Sequence, residues 1–332
     1  MANKERVLVT GAAGFIGSHV AERCLGLGYE VVATDDLSGG YREHVPAGVI
    51  WIRGDLRSPD FVAKLWDLGP FDHVFHIAAY AAEGLSHFIR RYNYETNLVA
   101  SVSLINQSVL QGVKTFVFTS SIAVYGKNQL PMTEELTPMP EDPYGISKLA
   151  VELDLKAAHE MFGLDYIVFR PHNVYGPKQN IADRYRNVIG IFMSQLLRDE
   201  PMTIFGDGLQ TRAFSYIDDV APIIAGSPKV RGARNRVFNV GAEKPYTVRD
   251  LAEYVAKAMG KPCQIKHLDA RNEVIHAFSD HSLVQRVFGE KEPVDLEEGL
   301  KRMAAWVMNT PKLPPGSFPA VEVPTGLPSS WK

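Results

Sequence analysis

Three closely spaced glycines between an apolar run and an amphipathic stretch constrain the fold of this chain more than any other feature. Residues 6–10 (RVLVT) have the composition of a buried strand, and residues 11–17 (GAAGFIG) lead into a helical pattern over residues 16–27. Glycines at 11, 14 and 17 permit a tight turn, a close approach of backbone amides to a ligand, and close packing of the helix on the strand. The sequence therefore predicts a strand–turn–helix unit at this point.

Alternation of strands and helices continues through the first half of the chain. Strands are predicted at residues 6–10, 30–35, 49–52, 73–77, 115–119 and 166–169, and helices at residues 16–27, 61–68, 94–111 and 144–162. Short apolar strands separated by helices are typical of a parallel sheet covered on both faces. The predicted class is α/β, with a Rossmann-type doubly wound parallel sheet over residues 1–172 that binds ligands beyond the carboxyl ends of its strands.

The pattern loosens near residue 173, where loops rich in proline and glycine separate fewer elements. Helices are predicted near residues 188–198, 248–259 and 296–308, and strands near residues 202–205 and 237–240. We interpret residues 173–308 as a smaller α/β substrate lobe, some segments of which return to the sheet. Residues 309–332 are rich in proline and lack periodicity, so we predict an extended tail.

Composition excludes several classes of protein. The 332 residues are 45% hydrophobic and 22% charged with a net charge of −3, which offers no basic surface for nucleic acid or an anionic membrane. Cys24 and Cys263 are too few for a disulfide framework and lack metal-ligand spacing. The sequence has no recognisable signal peptide and no apolar run of membrane-spanning length. We expect a cytoplasmic protein that acts on a small molecule without a metal.

The glycine turn is a predicted site for the pyrophosphate of a dinucleotide. Its amides and the positive end of the following helix both favour a bound anion. Asp35 ends the second predicted strand, 18 residues after Gly17, where a carboxylate can accept both ribose hydroxyls and repels a 2′-phosphate. This favours NAD over NADP. Asp36 is its neighbour, so the sequence leaves open which carboxylate contacts the ribose.

Tyr144 and Lys148 are the candidate catalytic pair. They lie four residues apart in the helix predicted after Pro143, so their side chains share one face. A free phenol has a pKa of about 10, and the positive charges of a lysine and an oxidised nicotinamide would favour the phenolate needed by a general base. Ser120 and Ser121 end a strand on the ligand-binding edge, where a hydroxyl can bridge the substrate and the tyrosine. An exposed tyrosine with a solvated lysine, and serines that only cap a turn, are the alternatives.

Together these motifs resemble the extended short-chain dehydrogenase/reductase family, and within it the NAD-dependent nucleotide-sugar epimerases and dehydratases of the UDP-glucose 4-epimerase type. The resemblance covers about residues 5–308. The matching motifs are residues 11–17 (GAAGFIG), 35–37 (DDL), 55–56 (DL), 76–79 (HIAA), 97 (N), 120–126 (SSIAVYG), 144–148 (YGISK), 170–177 (RPHNVYGP), 206–212 (GDGLQTR) and 216–220 (YIDDV).

The resemblance implies a catalytic role for Tyr144, Lys148 and Ser121. The implied NAD contacts are Gly11, Gly14, Phe15, Ile16, Gly17, Asp35, Asp36, Leu37, Ser38, Gly39, Asp55, Leu56, Ala78, Ala79, Asn97, Ser120, Tyr144, Lys148 and Pro171. The implied substrate contacts are Ala81, Ser121, Tyr144, Asn173, Asn187, Arg212 and Arg271. Asn173 and Arg212 would hold the diphosphate. The alternatives are a turn cap at Asn173 and an ion pair of Arg212 with Asp207 or Asp218.

The implied activity is that of a UDP-hexose 4-epimerase of the UDP-glucose/UDP-galactose type, in a homodimer formed by the helices at residues 94–111 and 144–162. The alternatives are a UDP-glucuronate 4-epimerase, another nucleotide-sugar epimerase or reductase, and a catalytically silent NAD-sensing scaffold. Family dehydratases carry an Asp-Glu pair where this chain has Ile122 and Ala123, so dehydration is not expected.

Three further departures bear on the sugar. Residues 81–84 (AAEG) differ from the sugar-contacting sequence of glucose/galactose epimerases. Arg184 and Arg186 are candidates to bind a sugar carboxylate, with solvated side chains as the alternative. Ala277 would leave room for a substituted sugar.

Overall fold

A sheet of seven parallel strands lies at the centre of the computed structural model, which describes residues 4–183, 185, 187–270, 274–310, 320–328 and 331. The strands are β1 (Arg6–Thr10), β2 (Glu30–Asp35), β3 (Ile50–Arg53), β4 (His73–His76), β5 (Thr115–Thr119), β6 (Tyr166–Pro171) and β11 (Arg236–Val240). Their order is β11-β6-β5-β4-β1-β2-β3. The predicted α/β class is confirmed, and the six strands predicted in the first half lie within two residues of their predicted bounds.

The strand order reverses at β1. The chain first adds β2 and β3 on one side of β1 and then crosses to the other side, where β4 pairs with β1. Parallel strands that diverge in this way leave a crevice beyond their carboxyl ends, and ligands bind there. Thr10 and His76 are paired at these ends, so the glycine turn after Thr10 opens directly onto the crevice.

Eleven α-helices lie within the described residues. They are α1 (Phe15–Gly26), α2 (Pro59–Leu65), α3 (Glu83–Ser86), α4 (Arg90–Tyr94), α5 (Ala100–Leu110), α6 (Pro143–Phe162), α7 (Val188–Leu197), α8 (Ile217–Gly226), α9 (Val248–Met259), α10 (Ser282–Phe288) and α11 (Leu296–Asn309). None of them is both long enough and apolar enough to cross a membrane.

The prediction of one uninterrupted helix at residues 94–111 is wrong. The structure has α4, then a π-helical turn over Glu95–Val99, and then α5. A π turn inserts an extra residue without ending the hydrophobic pattern, so apolar periodicity alone does not reveal it.

Two apolar clusters cover the two faces of the sheet. Val7 and Val9 of β1 belong to the larger cluster, whereas Leu8 between them belongs to the other. This alternation follows from the strand geometry, in which successive side chains point to opposite faces. The larger cluster includes residues of α1, α8, α9 and α11, and the other includes residues of α2, α5 and α6.

The chain beyond residue 172 also contains short strands beside α7 and α9, and we refer to these strands and helices as the second lobe. The strands are β7 (Val174–Tyr175), β8 (Met202–Phe205), β9 (Thr211–Ala213), β10 (Ser215–Tyr216), β12 (Pro245–Thr247), β13 (Ile265–Leu268) and β14 (His276–Ala277). They pair as β10-β7, β13-β8 and β12-β9-β14. Strand β11 instead joins the central sheet beside β6, so part of the region beyond residue 172 contributes to that sheet.

The described part of the tail packs back on the body of the protein. Residues 320–328 lack helix and strand, as the sequence predicts for this region, and Trp331 is buried. Residues 311–319, 329–330 and 332 of the predicted extended tail lie outside the described residues.

Candidate active site

A cavity of about 1270 Å³ runs across the carboxyl edge of the sheet and between the two lobes. Most residues predicted to contact a cofactor or substrate line it. These are Gly11, Gly14, Phe15, Ile16, Gly17, Asp35, Asp36, Ser38, Gly39, Asp55, Leu56, Ala78, Ala79, Ala81, Ser120, Ser121, Tyr144, Lys148, Pro171, Asn173, Asn187 and Arg212.

The glycine turn brings backbone close to backbone. Gly11 has φ +69°, and a Cβ there would lie 2.7 Å from the amide nitrogen of Ala78. A Cβ on Gly17 would lie 2.0 Å from the carbonyl oxygen of Gly11. The amides in the first turn of any helix lack intrahelical acceptors. Helix α1 begins after Gly14, and no side chain caps these amides. The turn therefore fits the pyrophosphate of a dinucleotide.

Two carboxylates at the end of β2 lie beside this turn. Asp35 accepts hydrogen bonds from the amides of Ala13 (3.1 Å) and Leu37 (2.8 Å), and Asp36 accepts one from Ser38 (2.8 Å). Burial raises the pKa of Asp35, and the hydrogen bond from Leu37 opposes that shift. Asp35 thus ties the glycine turn to the end of β2, and both carboxylates line the cavity.

Tyr144 and Lys148 lie together near the start of α6. Asp142 caps this helix by accepting a hydrogen bond from Gly145 (3.0 Å), and Pro143 occupies its first turn. Both side chains are buried, and the Lys148 Nζ lies 5.8 Å from the centre of the Tyr144 ring. The Lys148 Nζ also donates to the carbonyl oxygen of Thr119 (2.7 Å). This hydrogen bond holds the lysine side chain in place at the edge of the cavity.

Burial controls the charge of Lys148. Burial lowers the pKa of Lys148 to about 7, and the Glu152 carboxylate opposes the shift. Glu152 lies one helical turn further along α6 and forms a buried ion pair with Arg170 of β6. Ser120 also donates a hydrogen bond to Glu152. This network joins α6, β5 and β6 directly behind the candidate catalytic pair.

Ser121 begins a 3₁₀ turn over Ile122–Tyr125. Its hydroxyl accepts a hydrogen bond from the amide of Ala123 (3.1 Å), so it caps the turn, and it also lines the cavity. Ile122 and Ala123 line the cavity too. These are the two positions at which the resemblance implies an Asp-Glu pair in dehydratases.

Residues of the second lobe line the far side. The Asn173 amide donates to the carbonyl oxygen of Ala213 (3.1 Å), and Asn187 caps α7 by accepting from Ile189 (3.0 Å). The Arg212 guanidinium donates to the carbonyl oxygens of Thr211 and Ile275. Asp218, one of the partners considered for Arg212, pairs with Arg23 at 2.8 Å.

Some predicted residues lie elsewhere. Leu37 and Asn97 are described but do not line the cavity. The buried Asn97 side chain accepts from the amide of Tyr80 and donates to its carbonyl oxygen, so it supports the segment behind Ala79. Arg184, Arg186 and Arg271 lie outside the described residues. Ala277 lines the cavity and pairs with Arg212 in the β9–β14 ladder.

Five phenylalanine, tyrosine and tryptophan residues that line the cavity were not predicted from the sequence, namely Tyr80, Phe88, Tyr185, Phe205 and Trp331. Phe88, Tyr185 and Trp331 form part of its wall. Phe88 lies outside the predicted helices, and Tyr185 lies in a loop. Trp331 lies in a stretch without periodicity, so only the presence of an isolated tryptophan near the end of a proline-rich tail could have marked it.

A model of the NAD dependent epimerase/dehydratase family matches residues 7–241. The UDP-glucose 4-epimerase of Mycolicibacterium smegmatis is 33% identical over 92% of this chain and 99% of its own length. The UDP-glucuronate 4-epimerase of Thermodesulfobacterium geofontis is 30% identical over 90% of this chain and 95% of its own. The crystal structure of UDP-glucose 4-epimerase with UDP-glucose from Thermotoga maritima has a TM-score of 0.87 and 32% identity, and the match covers 91% of this chain and 98% of that one.

Proposed function

Because the chain belongs to the NAD-dependent epimerase/dehydratase family, we propose that it is a UDP-hexose 4-epimerase that interconverts UDP-glucose and UDP-galactose through a transient 4-keto sugar. The observation that carries this proposal is the buried pair Tyr144 and Lys148 on one face of α6, in the same cavity as the glycine turn. A buried titratable pair in a cleft is the arrangement expected of proton-transfer chemistry.

Tyr144 is the proposed general base. It takes the proton from the C4 hydroxyl of the sugar as the carbinol is oxidised and returns a proton when the keto group is reduced on the opposite face. NAD, when bound, supplies the reversible acceptance and return of hydride. Ser121 is the proposed hydrogen-bond partner of the same sugar oxygen, and the proposed role of Lys148 is to hold the nicotinamide ribose and stabilise the phenolate.

Asn173, Asn187 and Arg212 are the proposed holders of the nucleotide diphosphate. When the protein binds a substrate through its diphosphate, the sugar can present either face to the reaction centre while the nucleotide stays bound. The binding energy of the part that does not react is then used to position the part that does.

The decisive experiment incubates the purified protein with UDP-glucose or UDP-galactose and follows both sugars by chromatography. We expect interconversion to an equilibrium mixture without net consumption of NAD, because an epimerase is redox-neutral. Parallel incubations with the N-acetyl and uronate counterparts test the second candidate, a UDP-glucuronate 4-epimerase, to which one of the relatives points. The 4-epimerase assignment would be overturned if none of these substrates were converted.

We propose further that two copies associate through α5 and α6. Val99, the residue before α5, is 53% exposed, and Leu110 at the end of α5 is 73% exposed. Ile146, Leu153 and Met161 of α6 are 41%, 60% and 74% exposed and share one face through spacings of seven and eight residues. Exposed apolar residues aligned on one helix face, as Ile146, Leu153 and Met161 are on α6, are typical of an interaction surface.

A cytoplasmic location is proposed as well. Cys24 is buried and Cys263 is exposed, and both are free thiols. Free thiols persist in a reducing compartment. Fractionation of source cells with detection by an antibody against the protein tests this proposal.

A further inference from the structure

The last described part of the chain returns to the cavity. Gly326, Pro328 and Trp331 line the cavity wall, although the family model matches only residues 7–241. Trp331 is only 8% exposed. This segment therefore adds a wall that the family match does not include.

Four hydrogen bonds anchor this segment, two to the Glu322 side chain and two between backbone groups. The Glu322 carboxylate accepts from the amides of Arg91 and Tyr92, each at 2.8 Å. The amides of Glu322 and Val323 both donate to the carbonyl oxygen of Phe88, at 2.8 and 3.1 Å. Charge-assisted bonds to a carboxylate are among the stronger hydrogen bonds in proteins, so the tail is fixed beside the start of α4.

Trp331 spans the two sides of the cleft. Its Cη2 lies 3.0 Å from the position that a Cβ on Gly84 would occupy. The indole packs edge-on against Tyr185, with ring centres 5.3 Å apart, and against Phe88 at 6.2 Å. Gly84 lies in α3, whereas Tyr185 lies in the loop before α7. A side chain larger than hydrogen at position 84 would displace the indole.

This aromatic wall and the candidate catalytic pair line the same cavity, and helix α3 connects them. Ser86, two residues after Gly84, donates to the Asp142 carboxylate at 3.3 Å. Asp142 caps α6 two residues before Tyr144. The contacts therefore lead in short steps from Trp331 to the proposed base, which acts on the sugar rather than on the nucleotide.

We infer that Trp331, together with Phe88 and Tyr185, forms an apolar wall of the sugar subsite. This inference rests on the proposed function. A pyranose presents C–H groups on its faces, and these pack favourably on aromatic rings.

The test compares Trp331→Ala, Trp331→Phe and Val323→Ala in the full-length protein. Val323 is a tail residue with a side chain 41% exposed and serves as the matched control. For Trp331→Ala we expect the KM for UDP-glucose to rise about tenfold, with the inhibition constant of free UDP changed less than about twofold. Trp331→Phe should restore most of the affinity, and Val323→Ala should behave as the unaltered protein.

The outcomes separate the two proposals. If Trp331→Ala lowers the Tm but leaves the KM for UDP-glucose unchanged, the indole only covers the apolar cluster beneath it and the inference is wrong. An equal rise in the UDP inhibition constant would assign the wall to the nucleotide instead. If the unaltered protein converts no UDP-sugar, the proposed function fails. Thermal protection by UDP-glucose compared with UDP, measured in both Trp331 variants, still tests the wall.

Discussion

At the scale of single residues, the chemistry depends on a phenol that is buried beside an amine. Tyr144 is near the first turn of α6, and Lys148 follows one turn later with its ammonium held by the Thr119 carbonyl oxygen. Among the residues of α6, all of which are described, Tyr144 and Lys148 are the two that line the cavity. Two residue-level predictions follow from this arrangement.

Replacing Tyr144 by phenylalanine removes the proposed base while keeping the ring. We expect kcat for UDP-glucose epimerisation to fall by about 10³-fold with a small change in KM, because general acid–base catalysis contributes about 10²- to 10⁴-fold. Steady-state kinetics on both sugars measures this. Tyr254→Phe, at a tyrosine that packs against Tyr246 in the second lobe, is the matched control. Full activity in Tyr144→Phe would remove Tyr144 from the base role.

Lys148 links stability to pH. Its pKa is lowered to about 7 by burial, whereas an unfolded lysine titrates at about 10.4. The unfolded chain therefore binds more protons between these values, and the destabilisation caused by burying the charge disappears as pH rises from about 7 to about 10. Relative to Lys148→Met, the ligand-free wild-type protein should gain free energy of unfolding from pH 7 to pH 9 in urea titrations. Lys156→Met, at an exposed lysine, should show no such trend, and a constant difference for Lys148→Met would contradict the prediction.

Single residues were predictable from the sequence where a motif fixes both the residue and its neighbours. Gly11 and Gly17 have no room for a Cβ, and such positions leave a strong sequence signal. Asp35 and Asp36 both line the cavity, and the choice between them depends on atomic positions that spacing does not encode. The sequence did not mark Glu152 as part of the site, because its partner Arg170 lies 18 residues further along the chain.

At the scale of elements, α6 does more than present the catalytic pair. Its face also carries Glu152, whose side chain is 5% exposed and pairs with Arg170, 4% exposed, on β6. The pair fastens the helix to the sheet on the side where the ligand binds. Helix position and catalytic geometry are therefore coupled.

Loss of this ion pair should be costly. Glu152→Gln leaves the Arg170 guanidinium buried without a counter-charge, and we expect a loss of about 3 kcal/mol in the free energy of unfolding. Urea or thermal unfolding measures it. Glu298→Gln breaks an exposed pair with Arg302 on α11 and should cost less than about 0.5 kcal/mol. Equal effects of the two variants would refute the role assigned to the buried pair.

Most elements were predicted closely because amphipathic periodicity and burial coincide in them. Helix α9 and strand β8 have the predicted bounds. The elements that were missed are the break between α4 and α5, the helices α3, α8 and α10, and the short strands β7, β9, β10, β12, β13 and β14. Helix α8 contains Pro222, which weakens a helical pattern, and α10 has only seven residues.

At the scale of the whole molecule, the proposed dimer makes a distinct prediction. Leu153→Asp places a charge in the exposed apolar stripe of α6, so we expect the mass measured by light scattering to fall from that of two chains to that of one. The free energy of unfolding of the single chain should change little, since Leu153 is 60% exposed. Met308→Asp makes the same chemical change on α11, where Met308 is 55% exposed, and should leave the mass unchanged. A dimer that persists in Leu153→Asp would exclude this stripe.

The tertiary arrangement of the molecule could be predicted from the sequence only in part. Alternating elements specify the sheet, but the docking of the tail depends on contacts between residues more than two hundred positions apart, such as Glu322 with Arg91. No local pattern reports such a contact. The same holds for the wall made by Trp331 and Tyr185.

The pairing of β11 with β6 has a consequence for synthesis on the ribosome. All six residues of β6 are buried in the finished protein, yet about 65 more residues must be translated before β11 is reached. At about 5–20 residues per second, this takes about 3–13 s. During that interval the nascent chain carries an apolar strand with an unpaired edge, which is the kind of surface that aggregates or recruits chaperones. A ribosome that stalls between β6 and β11 would therefore release a product with an open sheet.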